Sequence, residues 1–141
     1  MEPVDEWVVT NPDKAIIEPG GAILMALYNG VPAGTAGLRK FDHGIYEFTK
    51  MAVDPPFRRK GIAEAISYAS FKKAKELGTA KMILYSNKLN AGAVKLYEKI
   101  GFRHVEVENG VYKRANVKMD ISIDTAMQRA HEYEQMLLLT N

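Results

Sequence analysis

The chain has 141 residues, 47% of them hydrophobic and 26% charged, with a formal net charge of +2. That length and balance suit one soluble globular domain with a real core, and the small charge gives no indication of a nucleic-acid partner. Cysteine is absent, which excludes a thiol nucleophile, a disulfide framework and thiolate metal sites. No apolar run approaches the roughly 20 residues that span a bilayer. The acidic start, Met1 to Glu6, lacks the apolar core of a signal segment, so a cytoplasmic location is expected.

In chain order, Asp5 to Val9 reads as the end of a helix, and Asn11-Pro12-Asp13 as a turn or a new helix start. Gly20-Gly21 precedes a buried-strand run, Ala22 to Tyr28. Asn29-Gly30 is a strong hairpin signal, which predicts a return strand from Val31 to Leu38. Asp42-His43-Gly44 turns the chain into a third strand, Ile45 to Val53, which Pro55 ends because proline cannot donate to a ladder. A helix follows with Ile62, Ala65, Ile66 and Ala69 on one face, and Leu77-Gly78 stops it. Ala80 to Asn87 reads as a strand. Asn90 then caps a helix in which Ala93, Leu96, Tyr97 and Ile100 share a face. Gly101 ends that helix, Phe102 to about Glu108 is a strand, Asn109-Gly110 turns, and Tyr112 to Ile123 alternates. One mixed α/β domain over residues 1–123 accounts for this order. Residues 124–141 form a further helix, capped by Asp124, with Ala126, Ala130, Tyr133 and Leu137 on one face. It is expected to pack on its own domain; a subunit interface, making a homodimer, is the alternative for its apolar end, Met136 to Leu139.

The segment from Val53 to Ala63 carries the chemistry. It joins a strand to a helix N-terminus, where unpaired N–H groups and the helix dipole favour an anion. Gly61 and Ala63 are small where a ligand would approach closely, and Arg58, Arg59 and Lys60 add positive charge. The loop is a phosphate cradle, but neither G-x-x-x-x-G-K-[ST] nor G-x-G-x-x-G is present. Its pattern R-x-x-G-x-A resembles the acetyl-coenzyme A loop of the GNAT superfamily of N-acetyltransferases. A second block, Asn90-Ala91-Gly92-Ala93-Val94-Lys95-Leu96-Tyr97-Glu98-Lys99-Ile100-Gly101-Phe102, resembles that superfamily's N-x-x-A-x-x-L-Y-x-x-x-G-F. The resemblance covers about residues 20–123, and its flanks look like a group of small bacterial acetyltransferases.

The resemblance implies an α/β (α+β) fold, a mixed and mostly antiparallel sheet flanked by helices, with its fourth and fifth strands splayed apart. Only about twenty residues precede the glycine pair, so the N-terminal strand is expected to be shortened or absent, which bears on the acceptor pocket. The pantetheine arm of acetyl-CoA would lie along Met51, Ala52 and Val53. The pyrophosphate would sit over Arg58, Arg59, Lys60, Gly61, Ile62 and Ala63. Asn90 and Tyr97 would lie beside the arm and the thioester. Arg59 and Ala63 stand where the family often has glycine.

Acetyl transfer needs a neutral amine, although an amine of pKa about 10.4 is almost wholly protonated at neutral pH. A general base must take its proton, and the family resemblance points to Glu47; a solvated strand carboxylate is the plain alternative. Tyr97 is the expected acid for the leaving thiolate, or else a core aromatic. A strand amide near Met51 or Val53 would polarise the carbonyl. His43, His104 and His131 have no metal-ligand spacing, so no metal is expected. Arg58-Arg59-Lys60 lacks the aromatic platform of a nucleic-acid patch, and Lys72, Lys73 and Lys75 read as a solvated helix face. The expected function is acetyl-CoA-dependent N-acetylation of a primary amine on a small molecule or peptide, with a non-catalytic acetyl-CoA sensor as the alternative. No pattern in the sequence identifies the acceptor.

Overall fold

The structure, a computed structural model, describes residues 6–10, 20–108 and 115–140. Seven strands form one sheet in the order β1-β2-β3-β4-β5-β7-β6. They are β1 (Glu6–Thr10), β2 (Ala22–Tyr28), β3 (Val31–Asp42), β4 (Ile45–Val53), β5 (Lys81–Ser86), β6 (Arg103–Val105) and β7 (Val117–Ser122). Three helices complete the described residues: α1 (Ile62–Glu76), α2 (Ala91–Ile100) and α3 (Ile123–Thr140). Every strand pairing is antiparallel except that of β4 with β5. A parallel pair needs a crossover, and α1 supplies it.

Alternation along the strands builds the core on one face of the sheet. Leu24 and Ala26, Ala36 and Leu38, Tyr46 and Phe48, Met82 and Leu84, and Met119 and Ile121 all turn to that side. On them α1 lays Ile62, Ile66, Phe71 and Ala74, which are fully buried or nearly so. Two serines buried on α1 are satisfied by their own helix, Ser67 Oγ donating to Ala63 O and Ser70 Oγ to Ile66 O, both at 2.7 Å. The helix ends as Leu77-Gly78 leads one to expect. Gly78 N donates to Lys75 O and Thr79 N to Ala74 O, a Schellman closure with Gly78 left-handed at φ 85°. In the same way Asn29 and Gly30 take φ 51° and 79°, the positive values that a tight hairpin turn requires.

Three expectations are corrected. Glu6–Thr10 is a strand rather than the end of a helix, because its ladder to β2, from Glu6↔Leu27 to Thr10↔Ile23, satisfies its backbone. Of the two expectations for the N-terminal strand, shortened or absent, the first holds: it is five residues long. The β3 strand runs past Leu38 to Asp42, carried by pairs such as Arg39↔Glu47 and Lys40↔Tyr46. Asp124 lies inside the first turn of α3, and Ser122 caps it instead, its Oγ accepting from Thr125 N at 3.2 Å. Asn11-Pro12-Asp13 and Asn109-Gly110 lie outside the described residues.

On α3, Ala126 and Ala130 are buried, and the Tyr133 ring stacks on Tyr68 of α1 at 4.5 Å. Beyond them Met136, Leu138 and Leu139 are exposed.

Candidate active site

The site forms where the sheet opens. β4 and β5 share only three rungs, Ile45↔Lys81, Tyr46↔Met82 and Glu47↔Ile83. From Phe48 to Val53, β4 pairs with β3 alone, so its other edge presents backbone groups without a strand partner. A bulge interrupts this stretch. Lys50 and Met51 together oppose Ala36, and Lys50 takes a left-handed φ of 54°. Thr35 Oγ1 holds the bulge by donating to Lys50 O at 3.2 Å. The extra residue switches the alternation: Tyr46 and Phe48 face the core before it, Met51 and Val53 after it. Opposite Val53, Gly34 is required, since a Cβ there would lie 2.9 Å from Ala52 O.

Past Val53 the chain makes one 3-10 turn, Pro55–Phe57, and then the predicted loop. Arg58 Nε donates back to Val53 O at 3.2 Å, tying the loop to the strand. Arg59 and Gly61 are both left-handed, at φ 65° and 78°, the kind of backbone that makes anion-binding concavities. Among the described residues, no backbone carbonyl accepts from the amides of Arg59 to Glu64. Gly61 sits at the N-cap of α1, and no side chain caps the helix. A helix start normally finds partners for its first N–H groups. These are open to an anion.

A cleft of about 390 Å³ lies against this helix start. Val53, Arg58, Arg59, Gly61, Ile62 and Ala63, all named from the sequence, line it, whereas Met51, Ala52, Asn90 and Tyr97 are not among its lining residues. Phe57, Glu64, Leu96 and Lys99 also line it and were not expected. Lys99 forms an ion pair with Glu64, which offsets a carboxylate that would otherwise repel an anionic ligand. Lys60 is not among the lining residues; its ammonium stands 5.5 Å over the Tyr28 ring.

Tyr97 and Asn90 arrive on α2. The helix ends at Ile100, with Gly101 at φ 116° and Phe102 N donating to Tyr97 O at 3.0 Å. This closure turns the Phe102 ring onto Phe48, Phe71 and Tyr97, with centroids 5.9 to 6.1 Å apart. Tyr97 also meets Phe48 edge-on at 6.1 Å. The Tyr97 ring is thus fixed by packing, while its hydroxyl makes no hydrogen bond among the described residues. Burial pushes the phenol above its ordinary pKa, so it keeps its proton. Asn90 is the N-cap residue of α2, but its side chain makes no cap bond. Its carboxamide is exposed and makes no hydrogen bond among the described residues.

Glu47 sits on the last β4–β5 rung, at the point where the strands part, and is buried. Its side chain is on the opposite face of β4 from Phe48, and so from Tyr97. Arg39 Nη2 binds its Oε1, which leaves Oε2 without a partner among the described residues. No group of metal-ligating side chains occurs among the described residues.

A sequence profile described as the acetyltransferase (GNAT) family matches residues 2–102. The chain belongs to this family. It is 29% identical to the uncharacterized N-acetyltransferase YjgM of Escherichia coli K12 over 96 residues, which are 66% of this chain and 58% of that one. It is 31% identical to the N-acetylaspartate synthetase of Xenopus tropicalis over 91 residues, 64% of this chain and 34% of the other. The chain thus spans about a third to rather more than half of these relatives. Among solved structures, a Bacillus subtilis acetyltransferase in complex with CoA superposes with a TM-score of 0.65 at 23% identity, covering 75% of this chain and 78% of that one. The splayed mixed sheet of this GNAT chain is therefore the family's fold.

Proposed function

We propose that this chain is an acetyl-CoA-dependent N-acetyltransferase that transfers the acetyl group directly to a primary amine of a small molecule or peptide. The observation that carries the reading is the run of unpartnered amides from Arg59 to Glu64 at an uncapped helix start. A pyrophosphate fits there, since it brings negative charge to the positive end of α1 and to the guanidinium groups of Arg58 and Arg59. The free edge of β4 at Met51, Ala52 and Val53 fits an extended amide-bearing arm, which would add to the sheet as a strand does. The CoA complex of the B. subtilis neighbour supports the same choice of ligand.

When bound, acetyl-CoA supplies an activated acetyl thioester and a thiolate leaving group. The chain's own part is to orient it and to move protons. Tyr97 would be the residue to donate a hydrogen bond to the thioester sulfur as it leaves. A thiol of pKa about 8.5 is a stronger acid than this buried phenol, so Tyr97 acts as a hydrogen-bond donor and relay rather than by giving up its proton outright. Glu47, on the other side of β4, takes the proton of the attacking amine through Oε2, directly or through water. Hydrogen-bond donor and base thus flank the free edge from opposite sides, as an amine entering one way and a thiolate leaving the other require. The Arg39–Glu47 pair favours a second reading, a non-catalytic acetyl-CoA sensor, because one oxygen of the carboxylate is already taken by a guanidinium.

Calorimetric titration with acetyl-CoA tests the binding step, wild type beside Gly61→Asp, with circular dichroism to check that both are folded. Binding that the substitution abolishes supports the cradle; no binding by folded wild type overturns the reading. Thiol release with a panel of amines then separates enzyme from sensor.

A further inference from the structure

A second concavity, of about 340 Å³, lies against a different face of α2 from the cofactor cleft. The cleft takes Leu96 and Lys99 from the helix, whereas this groove takes Ala91, Val94, Lys95 and Glu98, one stripe at helical spacing. Its other wall comes from β6 and β7, with Val105 and Val117 facing Val94 across it. One end is closed by Asn116, whose Oδ1 accepts from Lys88 N at 2.8 Å. The interior is apolar and the rim is basic.

The charges at the rim are not equivalent. Lys118 is paired with Glu108, and the His104 ring contacts the Glu98 carboxylate. Lys88 and Lys95 have no carboxylate partner among the described residues, although both line the groove. An apolar trough with two uncompensated ammonium groups at its edge selects an anionic head on an apolar body. The volume is at the low end of small-ligand sites, about 300–1,000 Å³, and too small for a helix or a folded partner.

We propose that this groove is a binding site for a small carboxylate with a short apolar chain. The chain would lie on Val94, Val105 and Val117, and the carboxylate would meet Lys88 and Lys95. The site does not depend on the acetyltransferase reading, because it shares no lining residue with the cofactor cleft.

Sodium octanoate is the probe, titrated into the full chain with isotope-labelled valine methyls and followed by NMR. Saturable shifts at Val94, Val105 and Val117 are expected, with none from octylamine at equal concentration. Lys88→Ala combined with Lys95→Ala, both surface changes, should weaken binding about five-fold, as the loss of two exposed charge contacts implies. Saturating acetyl-CoA should leave the shifts in place. The proposal is overturned by no saturable shift up to about 10 mM, a range that already reaches affinities of only a few kcal/mol. It is equally overturned by comparable binding of octylamine, by unchanged affinity in the double variant, or by displacement with acetyl-CoA.

Discussion

Tyr97 shows how much one residue's role depends on neighbours distant in sequence. Its ring is held by Phe48 and Phe102 while its hydroxyl makes no bond among the described residues. Tyr97→Phe should therefore leave acetyl-CoA affinity and melting temperature nearly unchanged and lower kcat about 10-fold, as the loss of one hydrogen bond implies. Glu47→Gln should lower kcat about 100-fold, the low end for loss of an acid–base group, and steepen its dependence on added base; unchanged turnover would remove Glu47 from the mechanism. The buried tyrosines also set an alkaline limit. Burial raises the pKa of Tyr97, Tyr68 and Tyr133 above 10.0. A raised pKa means that the neutral form is favoured in the fold, so this contribution is full below pH about 10 and is lost as pH climbs through the folded values. Melting temperature should fall above pH about 10, and absorbance at the tyrosinate band should show late-titrating groups that become normal on unfolding. The loop residues around Gly61 were legible because a local pattern specifies them. The Arg39–Glu47 and Lys99–Glu64 pairs were not, since they depend on strand register and helix placement.

Among the elements, those with strong end signals could be read from the sequence almost to the residue. Ala22–Tyr28 and the Asn29-Gly30 turn, and the glycine stops of α1 and α2, are cases where one conformation needs one residue type. Glu6–Thr10 was missed because five residues without alternation carry no period, and only the ladder to β2 decides their state. The bulge at Lys50 was also missed; it has neither glycine nor proline to mark it, and it persists because Thr35 and the β3 register hold it. At Gly101 the cause is visible: besides its φ of 116°, a Cβ would stand 3.0 Å from Ile121 Cδ1. Gly101→Ala should cost about 1–3 kcal/mol in urea unfolding and lower kcat by moving Tyr97. On α3, Ala130→Leu should cost a similar 1–3 kcal/mol by overpacking the contact with α1.

For the molecule as a whole, the chain order of helices and strands predicted a single mixed sheet, and the family signatures located its opening. The acceptor was not legible, because no segment of the sequence carries a recurring pattern for one. If the cleft holds acetyl-CoA, ligand at 100 times its Kd should stabilise the fold by about 2.7 kcal/mol, read as an upward shift in melting temperature that Gly61→Asp removes.

The parting of β4 from β5 has a consequence for self-assembly. An unpaired strand edge is a template on which another polypeptide can add, the first step toward aggregates. Here the two edges diverge, whereas a strand added to either must keep a spacing of about 4.8 Å from it. A rigid intruding strand that pairs with β4 therefore drifts away from β5 and cannot satisfy both. A thin, flexible chain with its own amides can follow one edge and then bend away. The wedge thus favours a narrow, jointed guest and denies a second copy of the protein the flat, two-sided slot in which amyloid-like growth would begin.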